Sequence, residues 1–178
     1  MSKEGYFFIA TATGSGNPTS ITFADIPSGY KALVLSSAVK NNNGGGTLYQ
    51  AFVQFGTSSS IDAGSNYYWH RAGSTNGTTY AASRNTGQPQ IYLVDYLGYG
   101  YDTMASARSI IWGYDDTNQQ TQISTWGGFS FNSTGVNSNK IWSGGWTNTG
   151  VMTHMRIDAG GSGITFDTAA NFTLWGMK

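Results

Sequence analysis

The sequence predicts an all-β fold, an antiparallel sandwich or barrel in a single domain spanning 1–178. Three observations point there. Apolar residues come in short runs rich in Tyr, Phe, Trp, Val, Ile and Thr, separated by clusters of Gly, Asn and Ser. The runs signal strands and the clusters signal turns. Period-two alternation recurs, as in Leu33/Leu35, Val53/Phe55, Ile91/Leu93 and Phe172/Leu174. Helical periodicity and any repeat of 20–50 residues are missing, which argues against α/β, propeller and solenoid architectures.

The elements follow in order. Strands are expected near 5–13 and 19–24, where Ile21, Phe23 and Ile26 end the second run. Pro27-Ser28-Gly29 then turns the chain, because proline presets the backbone and glycine supplies the remaining freedom. Alternation resumes at 31–40 and again at 47–56, 65–71, 77–82 and 90–97. NNNGGG (41–46) and STNGTT (74–79) read as loop tips within one domain. MASARSII (104–111) has a turn or two of helical character, but its end is strand-like and places a strand at 107–114. The remaining strands are expected at 120–131, 139–146, 151–158 and 171–177.

Composition narrows the function classes. Charged residues are 10% of the chain, against about 25% in an ordinary soluble domain. Lys plus Arg and Asp plus Glu are nine each, so no basic excess is available for a phosphate backbone, and nucleic acid is not an expected partner. A weakly charged surface repels itself little and favours association. With no cysteine, disulfides, thiolate catalysis and cysteine-ligated metals are excluded. MSKEGYFFIATATG has too short an apolar run for a signal peptide, and no stretch reaches the roughly 18 apolar residues of a membrane span. The expectation is a product made in the cytoplasm, with no membrane partner.

Catalytic patterns are sparse. His70 and His154 are far apart, and no Gly-x-Ser-x-Gly elbow is present. Glu4 is the only glutamate, so the carboxylate pair of a glycosidase would have to come from aspartates. Asp115-Asp116 is the densest acidic spot and reads as a solvated turn, with a calcium ion on loop carbonyls as the alternative. GGGTLYQ (44–50) lacks the Gly-Lys-Ser/Thr ending of a phosphate loop. Neither a cofactor nor a catalytic residue is expected.

The aromatic content, 15% of the chain, calls for a role. Tyr99, Tyr101, Trp126, Trp142 and Trp146 lie in polar surroundings and are the candidate contact residues. Their rings can fill the core, anchor a protein interface at low entropy cost, or stack on sugar rings.

YFFIATATGSG (6–16), SITFADIPSGYKALVL (20–35), FVQFG followed by GSNYYWHRAGS within 52–74, and NFTLWGMK (171–178) resemble a group of tailed-bacteriophage virion proteins. Members share an Ile-x-Phe-x-x-Ile-Pro-x-x-Tyr-x-x-Leu-x-Leu hairpin and close on Phe-x-Leu-Tyr-Gly. The likeness covers both ends and the first 75 residues. Where the family often has a compact Asn-Gly-Asp turn, this chain has Val53-Gln54-Phe55-Gly56 and Ser60-Ile61-Asp62-Ala63-Gly64. The resemblance implies a jelly-roll-like antiparallel β-sandwich on the exterior of a phage particle, with no catalytic residues. It would be a capsid decoration, cement or head-knob protein that self-associates on the major capsid protein. The alternative is a tail-fibre or tail-tip module contacting tail proteins and host surface glycans. In either role the Ile-Pro-x-Gly-Tyr corner is expected to set the register of the first hairpin.

Overall fold

A computed structural model describes residues 5–42, 47–58, 60–75, 79–97, 104–130 and 137–178, with Thr79 and Leu97 described by backbone alone. The described residues form thirteen strands: β1 (Tyr6–Thr13), β2 (Ser20–Phe23), β3 (Ala32–Val39), β4 (Leu48–Thr57), β5 (Ser60–Ile61), β6 (Tyr67–Thr75), β7 (Thr79–Gln88), β8 (Ile91–Leu97), β9 (Ala105–Trp112), β10 (Thr121–Ser130), β11 (Asn137–Trp146), β12 (His154–Asp158) and β13 (Asn171–Met177). Every pairing is antiparallel. The segment with helical character, MASARSII, lies largely within β9. Its buried Ala105, Ala107, Ser109 and Ile111 alternate with outward residues, a period only a strand satisfies.

An eight-stranded sheet runs β1-β13-β3-β9-β10-β11-β6-β7 and faces a second sheet, β2-β12-β4, whose far edge takes both β5 and β8. Four nested pairs define the wrapping: β1 with β13, β2 with β12, β3 with β9 and β4 with β8. First pairs with last and second with next-to-last, alternately in one sheet and the other, which is a jelly roll. The strands β10, β11, β6 and β7 are additions that widen one sheet beyond β9. We call them the wing.

The core lies between the sheets. Leu33, Leu35, Val39, Ile111, Phe172 and Leu174 point inward from the large sheet and meet Val53, Phe55, Met155 and Ile157 from the small one. In the wing, Ile123, Trp142, Trp146, Tyr67 and Trp69 continue the same inward row. Burial on this scale, about 25 cal/mol per Å2 of apolar surface, is the main force holding the sheets together.

The Ile-Pro-x-Gly-Tyr segment corrects the expectation of a hairpin. Among the described residues β2 pairs with β12 alone while β3 pairs with β13 and β9, so the corner carries the chain from one sheet to the other. A turn sequence is the same for both outcomes; the partners decide. Tyr114 donates its hydroxyl to the Pro27 carbonyl at 2.9 Å and accepts from the Tyr30 amide at 3.2 Å. The Gly29 amide, at φ 87°, donates to Asp115 Oδ2 at 2.8 Å. The Tyr30 ring then fills the space beside Gly176, where an added Cβ would lie 2.5 Å from it. The corner and the final strand thus fit against each other.

Candidate functional site

Period two assigns each wing residue to a face. On β10, Ile123, Thr125 and Phe129 are buried and point inward, which turns Ser124 and Trp126 outward. Trp126 pairs with Ile141 of β11 and Arg108 of β9, and Ile141 pairs with Ala72 of β6. Trp126 and Ile141 are 44% and 58% exposed, unusual values for side chains of this size. Two glycines follow Trp126. A Cβ on Gly128 would lie 1.7 Å from the Ser138 carbonyl oxygen, and one on Gly127 2.4 Å from that of Ser106. Only glycine lets the backbone come so close, and the result is a depression beside the indole.

That depression is an open groove of about 610 Å3. Trp126, Tyr80, Met104 and Ile141 supply apolar walls; Ser106 and Asn139 supply hydrogen-bonding groups. Lys140 also reaches the groove, but its ammonium is bound to the buried Asp95 carboxylate, which accepts from Ser138 as well. The lining therefore offers rings, amides and hydroxyls with little net field. It suits contact with an uncharged, partly apolar surface.

The expected contact residues separate. Trp126 lies in the groove. Trp142 and Trp146 are each 1% exposed and belong to the core of the isolated chain. Four residues apart on β11, they share the inward face, one opposite Thr125 and the other opposite Thr121. Trp146 stacks on Tyr67 and donates to Asp62 Oδ2 at 2.7 Å. Tyr99 and Tyr101 fall outside the described residues. Tyr80, Met104 and Ile141 complete the groove and were not singled out from sequence. Tyr80 ends a Gly-Thr-Thr-Tyr run, and the signal for its exposure was the small, polar composition of both faces of β7.

The aspartates that suggested other chemistry have structural roles. Asp115 holds the Gly29 corner, and Asp116 accepts from the Asn118 amide at 2.8 Å. Asp62 accepts from Trp146, from Asn66 Nδ2 and from the Gly64 amide. Burial would raise its carboxyl, but those three hydrogen bonds outweigh burial and hold it below the usual carboxylate range. Among the described residues no three His, Asp, Glu or Cys side chains gather as metal ligands. No described helix is long and apolar enough to cross a membrane.

The chain matches no family model, no curated protein and no solved structure. Function must be argued from the residues and the groove.

Proposed function

We propose that the chain is a non-enzymatic structural protein of a bacteriophage virion, a capsid decoration or head-knob protein that docks on the particle exterior through the outer face of its wing. The docking part is carried by one observation: Trp126 and Ile141 stand as exposed cross-strand neighbours beside an open groove, on an outer sheet face where small residues such as Ala72, Ser124 and Ser143 lie between large exposed ones, Trp112 and Phe8 among them. Large rings on a flat, weakly charged surface make protein-contact anchors, since they bury area with few rotors to fix. The virion part is supported by the motifs at 6–16, 20–35 and 171–178, which lie on β1, on the β2–β3 corner and on β13.

Particles made without this chain are expected to lose density on the head exterior. Particles made with Trp126→Asp are expected to lose it too, although the variant folds. Unchanged head density in its absence overturns the decoration reading.

A second reading has its own support. Trp126 and Tyr80 flank Asn139 and Ser106 in one open groove, an arrangement that suits a sugar ring stacked on an aromatic face with its hydroxyls bonded. Under this reading the chain is a tail module for host glycans. Binding on a glycan array, abolished by Trp126→Ala, supports it; no binding together with unchanged phage adsorption removes it.

A further inference from the structure

We propose that β7 pairs antiparallel with β7 of a second copy of this chain, joining two eight-stranded sheets edge to edge. The inference deepens the assembly reading by naming the self-contact, and it rests on that reading only in treating the chain as one that associates.

β7 is the outermost strand of the large sheet, bonded on one side to β6. All residues from Tyr80 to Gly87 are exposed, so neither face of the strand is covered. A bare edge presents alternate unpaired N–H and C=O groups, and the ligand that satisfies them all is another strand. Natural edges are usually blunted by charged side chains, lysine above all, by proline, a bulge or shortness. From Thr79 to Asn85 β7 has one charge, Arg84, and none of the other devices: seven residues run in unbroken register with β6, and the irregularity lies beyond, opposite Tyr67–Trp69.

The other described edges are blunted or covered. β1 has a register shift between Phe8 and Ala10. β2 is four residues long and β5 two. β8 has an extra residue, Leu93, between the partners of Ala51 and Phe52, and its Ile91, Leu93, Val94 and Tyr96 are buried.

The occupant is a second copy because the strand is complementary to itself. A two-fold axis through Ala82, the midpoint of Thr79–Asn85, uses the whole regular stretch. It sets Tyr80 opposite the second copy's Arg84, twice, on the outer face. Tyr80 is 71% exposed and Arg84 has no ion pair among the described residues, so each ring gains a guanidinium and each guanidinium a ring. The inner face pairs Ala81 with Ser83, small against small. Moving the axis to Arg84 would set two cations opposite each other, which disfavours that register. A closed two-fold pair is the isologous outcome expected of such an edge. The strand edge alone is smaller than the roughly 1,000 Å2 of a stable interface, so the pair is reversible in dilute solution and firm where copies are concentrated on a surface.

The chain has no cysteine, so Ala82→Cys introduces a single thiol on the axis. Opposed Cα atoms of an antiparallel pair lie roughly 4.5–5.5 Å apart, within the disulfide range. Under mild oxidation A82C is expected to form a covalent dimer about tenfold faster, or more, than S28C, whose thiol sits on the exposed corner and reacts only by collision. Adding Arg84→Glu to A82C should bring the rate down to that of S28C, with circular dichroism unchanged. Equal rates for A82C and S28C overturn the pairing, and a fast rate retained with Arg84→Glu overturns the register. Neither result bears on head density, so failure here is distinguishable from failure of the virion reading.

Discussion

The jelly roll and the wing share one continuous sheet but use their side chains differently. In the jelly roll, β3, β9 and β13 are covered on the inward face by the small sheet, and Leu33, Leu35, Ile111, Phe172 and Leu174 are sealed there. In the wing, β8 packs on the inner sides of β10, β11 and β6, and β7 is left exposed on both faces. The outer face carries large exposed side chains in both regions, Phe8 and Trp112 on the jelly-roll strands β1 and β9 and Trp126, Ile141 and Tyr80 in the wing. The comparison teaches that the jelly-roll part of the sheet is closed on its inward face by the second sheet, whereas the outermost added strand keeps both faces free.

The two tryptophans of neighbouring wing strands test that division most directly. Trp142→Ala removes a sealed side chain and is expected to cost about 3–5 kcal/mol in chemical denaturation. Trp126→Ala, one strand away and facing out, should change stability by less than about 0.5 kcal/mol. Equal losses would dissolve the distinction between the faces.

The next effect concerns the charge pair that joins the wing to β8. Lys140→Ala strands the fully buried Asp95 carboxylate, one of whose oxygens already has no partner. A loss of about 3 kcal/mol is expected, recovered in large part by the double change Lys140→Met, Asp95→Leu. If the single change is neutral, the wing interior is wetter than its packing implies.

Two titrations complete the series, one in each region. Burial pushes the Tyr114 hydroxyl at the jelly-roll corner up to about 12, from an ordinary 10.0. Its folded value is the raised one, so its contribution is intact below pH 10, declines as pH rises through about 12, and is absent in Tyr114→Phe. Asp62, tied to Trp146 of the wing, is shifted the other way. Its contribution is present above its ordinary value of 3.8 and is lost as pH falls through the lower folded value. Because Asp62 is partly exposed, this is the smallest effect, read as the difference between the wild type and Asp62→Asn in acid denaturation.

Strand positions were legible because alternation survives in each run: the stretches expected near 5–13, 90–97 and 171–177 match β1, β8 and β13 to within a residue. The two-residue β5 was too short to leave a pattern. Sheet membership was not legible, since Pro27-Ser28-Gly29 serves a crossover as well as a hairpin. Nor was the facing of β11, where Ile141 and Trp142 are adjacent and either parity buries one large apolar side chain. Only the partners Thr125 and Arg71 settle that Trp142 goes in. The groove was half visible for the same reason, because its walls come from strands far apart in sequence that topology alone brings together.

The nested pairing has a consequence for how the molecule is made. β13 lies between β1 and β3, so two strands finished within the first 39 residues lack their shared neighbour until residue 177 has left the ribosome. Long-range pairing of this kind is slow, and nascent strands must wait with open edges. β1 and β3 therefore pass through an unprotected interval before β13 arrives, in which a helper that shields β3 would raise the yield of native product.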